Sequence, residues 1–461
     1  MLPLVVLIPD FTPGGVPLVD ILLNPVFLAV IVMLALCLLK VNVMLALMTS
    51  AIIGGLIAGL SPVAAMSAFI SGMAGKNNIV LSYILLGTLA IGIEYSGIVN
   101  ILCYKLLRVF GNKRAVTLLV LAGVASLSQN LIPVHIAFIP ILIPPLLYVF
   151  NRMQMDRRAV ATALTFGLKA PYMVVPAGFG LIFGGLVADN MTEAGMPVDG
   201  GEVWRYLLIP VLGMLVGLLI AIFITYRKPR TYTTTETDIE NASVEDLRMT
   251  RKHWYTIIAI IIAFGTQVLF RHLFNTGLGL HLGALAAIIF MVATGVIPFR
   301  DMDQTVFGGI KLMGTIAFTM LMAGGFAGVI RETGGVQGLV DGITGFTGTN
   351  RLALAFVMIL IGLLVTIGIG TSFGTVPILA AIFVPLAMAG GFSTGATVAL
   401  IGTAAALGDA GSPASDSTLG PTAGLNADGQ HDHIYDTCVP TFLHFDIPLV
   451  IFGTLAAAFI L

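Results

Sequence analysis

Apolar runs of membrane length recur along almost the whole chain, and they constrain its fold more than any motif does. Candidate spans occupy 25–40, 42–60, 78–94, 159–188 and 204–226, then 254–271, 279–297, 315–331, 391–426 and 438–461. A helix needs about 20 apolar residues to cross the hydrocarbon core, where every backbone polar group must find its partner within the protein. The expected fold class is therefore an all-α polytopic membrane protein. Composition agrees: of 461 residues, 57% are hydrophobic and only 10% charged, with a mean hydropathy of +1.02. That is too little charge for a water-covered surface. A formal net charge of −1 gives no basis for a nucleic-acid partner. Cys37, Cys103 and Cys438 lie in or beside apolar runs, with no spacing that suggests a disulfide framework or metal site.

A polar linker, 227–253, divides the chain. It carries Arg227, Lys228, Arg230, Arg248, Arg251 and Lys252, so the positive-inside rule places it in the cytoplasm. The loop 189–202 has acids and no Lys or Arg, which suits the opposite side. The expected organisation is an N-terminal segment 1–23, a first unit 24–226, the linker 227–253 and a second unit 254–461. The opening MLPLVVLIPDFTP lacks a basic leader region and is interrupted by Asp10 and Pro13, as in a short leader or interfacial segment. Two stretches resist simple crossing. Residues 115–148 are broken by SLSQNLIP and flanked at both ends by bases: Lys113 and Arg114 before, Arg152, Arg157 and Arg158 after. A re-entrant hairpin satisfies both facts, and 352–389, broken by GIGTSFGTVP, has the same form. Irregular backbone at such depth survives only where it is buried in protein or lines a wet cavity.

The two units resemble each other. GNKR (111–114) matches GTNR (348–351) and SGIV (96–99) matches TGGV (333–336), both at an offset of 237. Pro144 and Pro145 match Pro385 at 241 and 240, and APYMVVPAG (170–178) matches SPASDSTLG (412–420) at 242. The amphipathic connectors 97–110 and 334–347 also correspond. Each unit has about five transmembrane spans plus one re-entrant hairpin, an odd number of crossings. The copies therefore lie in opposite orientation. An inverted repeat with discontinuous helices is the pattern of secondary transporters, whose sites lie near the midplane at the repeat interface. A channel shares some of these features.

Four interruptions should converge: Ser128, Gln129 and Asn130; Lys169 to Pro171; Gly370 to Thr375; and Gly408 to Thr418. A broken helix frees carbonyls at one half-helix end and N–H groups at the other. Carbonyls and hydroxyls suit Na⁺, and N–H ends favour an anionic group. Asp416, immediately after the Pro413 break, is the leading candidate for a Na⁺ ligand or proton carrier, with Asp409 second. Asp at a helix centre costs about 2.5–3.5 kcal/mol on insertion, so such residues are functional candidates. Ser415, Ser417 and Thr418 complete the cation- and proton-coupling set. Ser128, Gln129, Asn130, His135, Lys169, Thr371, Ser372, Thr375 and Ser412 form the candidate substrate-binding set. Lys169 is placed to neutralise an aspartate or hold a substrate carboxylate. QHDHIYD (430–436) has metal-ligand residue types but lies in an expected solvated loop. No catalytic constellation points to an enzyme, no cofactor is indicated beyond coupling ions, and no Walker A sequence encodes ATP coupling.

SQNLIPVHIAFIPILIPPLL (128–147), GTSFGTVPIL (370–379) and GDAGSPASDST (408–418) together resemble the NhaC-type Na⁺/H⁺ antiporter family, in a branch assigned to amino-acid or histidine permeases. The resemblance runs through nearly the whole chain. It implies Na⁺ or H⁺ as the coupling ion, an elevator-type division into scaffold and transport domains, and a homodimer. It further implies a bacterial cytoplasmic (inner) membrane location. The family's SPxSD(S/T)T-like motif, here SPASDST, adds weight to Asp416. The expected activity is Na⁺- or H⁺-coupled transport of a small amino-acid-like solute, with cation-only Na⁺/H⁺ exchange as the alternative.

Overall fold

The computed structural model describes residues 22–39, 41–74, 77–98, 101, 113–130, 135–176, 178–233, 249–274, 278–347 and 350–461. Among them there is no strand. In the first unit, α1 (Pro25–Leu38), α2 (Val43–Ile57), α3 (Pro62–Ala74) and α4 (Asn77–Tyr95) precede a hairpin of α5 (Arg114–Asn130) and α6 (His135–Arg152). A bent pair, α7 (Arg157–Val174) and α8 (Phe179–Glu193), leads to α9 (Leu208–Thr225). In the second unit, α10 (Arg251–Phe274), α11 (Gly279–Ala293), α12 (Met302–Glu332) and α13 (Gly335–Thr347) precede the hairpin α14 (Arg351–Ile369) and α15 (Ser372–Ala389). A broken helix, α16 (Thr394–Gly411) and α17 (Asp416–Leu425), leads to α18 (His433–Ile460).

By length and composition α9, α14, α15 and α18 can cross a bilayer, and α7 with α8 makes a fifth span if that pair, bent by 54°, is counted as one. The expected long runs 159–188 and 391–426 are each divided into two helices. Pro176 and Pro413 lie in the two breaks, where proline removes a donor and crowds the preceding turn. The expected interruption at Lys169 to Pro171 is instead helical, with Pro171 accommodated inside α7 one turn before its end. Two elements differ from expectation. α3 is an additional helix that begins on Pro62, a residue suited to a first turn. α12 runs 31 residues and starts well before 315. Its first half carries Asp303 and Lys311, which lower the local hydropathy without breaking the helix. Connector 334–347 contains the helix α13, whereas most of 97–110 lies outside the described residues, as do 1–21.

α12 packs along α3 and α4 at glycine crossings. A Cβ placed at Gly72 would collide with the Gly324 carbonyl oxygen, and one at Gly87 with the Gly309 carbonyl oxygen. Only glycine permits such backbone contact, the usual basis of helix association where no hydrophobic drive exists.

The second hairpin turns in two residues. Asn350 caps α14 by accepting the Ala353 N–H at 3.1 Å, and Gly370 closes it at φ +74°, a left-handed position where a Cβ is disfavoured. Ser393 starts α16 by accepting the Ala396 N–H at 3.0 Å. α15 and α16 have 18 residues each, about 27 Å. The α14–α15 turn therefore reaches the 412–415 break, beyond which α17 continues for ten residues.

Candidate functional site

The α16–α17 break, the α14–α15 tip and the last turns of α7 meet at one carboxylate. Asp409 lies within α16, 3% exposed, and Lys169 reaches it from α7 at 4% exposure. The Lys169 ammonium closes an ion pair on Asp409 Oδ2. Burying two charges is repaid only by close geometry and further donors. Asp409 has three more. The Ser372 backbone N–H donates to Oδ2 at 2.9 Å, the Ser372 hydroxyl to the same oxygen at 2.5 Å, and the Ser415 hydroxyl to Oδ1 at 2.5 Å. Ser372 is the first residue of α15, so the positive end of that helix points at the carboxylate.

The same tip is held by an aromatic cage. Tyr172 shares a 2.6 Å hydrogen bond with the Ser372 hydroxyl. The Phe373 ring packs against Tyr172, Phe183, Phe179 and Tyr83, with centroids 5.5, 5.6, 5.9 and 6.1 Å away. Lys169 Nζ lies 5.3 Å from the Tyr172 ring centroid, within range of a cation–π attraction. The hairpin tip of the second unit is thus seated in the broken helix of the first.

Other candidates stabilise the break itself. Ser412 donates to the Ile367 carbonyl at 3.1 Å and accepts at its own carbonyl from Thr418 at 2.6 Å. The Ser417 carbonyl accepts from Thr165 on α7 at 2.8 Å, and the Ser417 N–H is capped by the Ser415 hydroxyl. Thr375 returns its hydroxyl to the Thr371 and Ser372 carbonyls one turn back, and Thr371 is the half-buried cap residue of α15. Asp416 stands apart. It is half-buried in the first turn of α17, and Lys169 pairs with Asp409 instead. The backbones of Ser128, Gln129 and Asn130 end α5 and that of His135 begins α6; their side chains lie outside those described. Sequence reasoning did not single out Tyr172, Phe373 or Thr165. Their role depends on how the two units pack, and only the prolines beside Tyr172 hinted at it.

A second polar cluster lies at the opposite end of α7. The Arg157 guanidinium, fully buried, donates to both Asp428 oxygens at 2.6 and 2.5 Å, to the Leu425 carbonyl at 2.8 Å and to Asn151 at 3.0 Å. Burial raises the Asp428 carboxyl, but the Arg157 fork outweighs it and holds the group below the usual carboxylate range. The first residues of the linker are tied here as a strap. Tyr232 accepts the Arg157 N–H at 3.0 Å, Arg230 pairs with Asp436 at 2.8 Å, and Gln430 exchanges two hydrogen bonds with the Thr233 backbone at 2.9 and 2.7 Å. His431, buried between them, bonds Thr437 at 2.7 Å; burial drives its pKa down to about 4. Among the described residues, no three His, Cys, Asp or Glu side chains are grouped to hold a metal, QHDHIYD included.

Known proteins resemble this chain over most of its length. A relative in Vibrio parahaemolyticus, an uncharacterized membrane protein, is 48% identical over 447 residues, covering 94% of this chain and 99% of its own. The Bacillus subtilis protein YuiF, whose name proposes amino acid transport, is 46% identical over 445 residues, covering 94% of this chain and 99% of its own. Among solved structures, MtrF of Neisseria gonorrhoeae, described as one of a class of antimetabolite efflux pumps, superposes with a TM-score of 0.62 at 16% identity, over 86% of this chain and 84% of that one. The YdaH transporter of Alcanivorax borkumensis gives 0.59 at 16% identity, over 85% and 86%. Both support the fold alone. Two family models, each described as a Na⁺/H⁺ antiporter family, match residues 163–454 and 24–110. The protein is a multi-pass membrane protein and a secondary transporter, with Na⁺ and H⁺ implied as coupling ions. The chain belongs to the Na⁺/H⁺ antiporter family.

Proposed function

We propose that the protein couples Na⁺ or H⁺ to the movement of a small amino-acid-like solute, histidine or another, across the bacterial cytoplasmic membrane by alternating access. The observation that carries this reading is the buried Lys169–Asp409 pair at the seat of the α15 tip. An ammonium, a carboxylate, a helix N-terminus and exchangeable hydroxyls are the complement of a zwitterion. A substrate's carboxylate can replace Asp409 on Lys169 while its ammonium takes Asp409. The name of YuiF favours the same class. Asp416, half-buried and not claimed by Lys169, is the proposed Na⁺ ligand, with Ser415, Ser417 and Thr418 beside it.

The inverted repeat is part of this reading, and the glycine crossings support it. The 237-residue offset carries 62–95 onto 299–332, so α3 and α4 together correspond to α12. It also carries Gly72 to Gly309 and Gly87 to Gly324. The Gly72–Gly324 contact therefore becomes the Gly87–Gly309 contact when the units exchange places. On this basis 24–226 and 254–461 are the two repeats, the early helices of each forming a scaffold and the hairpins and broken helices a moving domain. A homodimer follows from the family resemblance.

Cation-only exchange is the second reading. It is favoured by the family and by an ion pair that an incoming Na⁺ can open. Purified protein in liposomes, tested with labelled amino acids, histidine included, under Na⁺ and pH gradients, separates the two. Na⁺-driven proton flux with no amino-acid uptake would leave the cation-only reading standing.

A further inference from the structure

A third buried carboxyl lies behind the site. Asp446 ends a π-helical turn, Phe442–Asp446, in α18 and is 1% exposed. Both of its carboxyl oxygens are buried without a hydrogen-bond partner. Its Oδ2 lies over Gly411, the last residue of α16, where a Cβ would collide with it. Gly411 is thus the residue that lets this carboxyl approach the break. π-helical turns inside α-helices are frequent at functional positions.

The charged surroundings can be enumerated. α16 supplies Asp409, which is engaged by Lys169, Ser372 and Ser415. α9 (208–225) has no titratable residue. On α18 itself, His444 is spent on the Pro440 carbonyl at 2.7 Å and on Thr225 at 2.9 Å, and Cys438 lies beside His433. α7 packs on the stretch before Asp446 and offers Lys169, which is taken by Asp409. An ionised carboxylate buried with no donor is not tolerated in such a place, so the group carries a proton here. As an acid it still has no acceptor within reach, and a buried polar group left so is an exception that calls for a role.

We propose that Asp446 is the proton-carrying site of the coupling machinery: it holds a proton while Asp409 is ionised, and releases it when a cation is taken up at the 412–418 break. The O–H bond of the Asp446 carboxyl breaks and its proton passes to water. The carboxylate left behind is balanced by the incoming positive charge, so one cation enters as one proton leaves. This rests on the ion-coupled reading above.

Two measurements test it on the full-length protein. In liposomes with a trapped pH dye, a Na⁺ gradient should drive proton movement in the wild type, and Asp446→Asn should lose it. Infrared difference spectra of the wild type should contain the C=O stretch of a protonated carboxyl that disappears when Na⁺ is added. Asp446→Asn should lack that band, while Asp409→Asn should keep it. Monodisperse elution and an unchanged melting temperature show that the variant is folded, and Gly411→Ala, which crowds the carboxyl from the other side, provides an independent loss of proton movement. Wild-type proton flux in Asp446→Asn, or a band that survives this substitution, overturns the proposal. If the wild type moves no protons in response to Na⁺, the ion-coupled reading has failed separately. The band then decides for Asp446: one that Na⁺ leaves unchanged overturns the release step.

Discussion

Replacing Lys169 by Met tests the central pair most directly. The side chains are similar in length, so the change removes the charge while largely preserving the packing against Tyr172. Asp409 is then left buried and ionised, with the Ser372 N–H and the Ser372 and Ser415 hydroxyls as its remaining donors. Removing one partner of a buried pair costs about 3–5 kcal/mol. Three bonds to a charged acceptor, each worth about 1.5–3 kcal/mol, soften that loss and place it at the low end. Asp409→Asn leaves Lys169 stranded instead and should cost a similar amount. The double variant restores neutrality, so it should be more stable than the sum of the single losses predicts by about 2–3 kcal/mol, well outside the roughly 0.5 kcal/mol scatter of independent sites. Thermal unfolding of detergent-purified protein at neutral pH reads this as falls of several degrees in each single variant and partial recovery in the double. Additive losses within that scatter would show that the two residues act independently, and the reasoning about the site would be refuted.

Other outcomes follow from the same geometry. Asp416→Asn should abolish coupled transport with the fold intact; wild-type flux in liposomes would remove Asp416 from the mechanism. Tyr172→Phe deletes one buried hydrogen bond to Ser372 and should lower stability by about 1 kcal/mol, measurable as a small drop in melting temperature. Gly72→Ala and Gly309→Ala should each cost about 1–3 kcal/mol through overpacking, and the proposed repeat expects similar amounts at the two positions. His431 is held near 4 in the folded protein against 6.5 when free, so the unfolded loop binds the proton more readily. Stability from this residue is complete above pH 6.5 and is lost as pH falls toward 4, by up to about 3 kcal/mol. Amide protection over 226–233, taken relative to the intrinsic exchange rate at each pH, should fall across that window, and His431→Gln should flatten the response.

Two breaks were legible because glycine and proline mark them in an apolar run, at Gly370 and Pro413, whereas Pro171 misplaced the third: α7 accommodates it and ends only before Pro176. Which aspartate meets Lys169 was not legible. Asp409 is inside α16, where helix rotation sets its direction, and Asp416 starts α17, whose direction is reset by four non-helical residues. Hydropathy also concealed helices. α3 carries Ser67 and Ser71, and the first half of α12 carries Asp303 and Lys311, so their apolar faces are diluted in any window average. Asp446 meets the same criterion as Asp409, a carboxylate within an apolar run, but it lies away from any glycine- and proline-rich break. Only the packing of α18 on Gly411 reveals it.

The exchanged glycine contacts have one further consequence. A contact that returns itself when two bodies swap places is the geometry of an isologous dimer interface. Under the proposed inverted repeat, the spine of α3, α4 and α12 has the form of two partners recognising each other, with the linker as a covalent tether that fixes their ratio at one to one. What the tether adds is at its own first residues: Tyr232 bonds back to Arg157 of the first unit, while Arg230 pairs with Asp436 at the start of the last helix and Thr233 bonds Gln430 just before it.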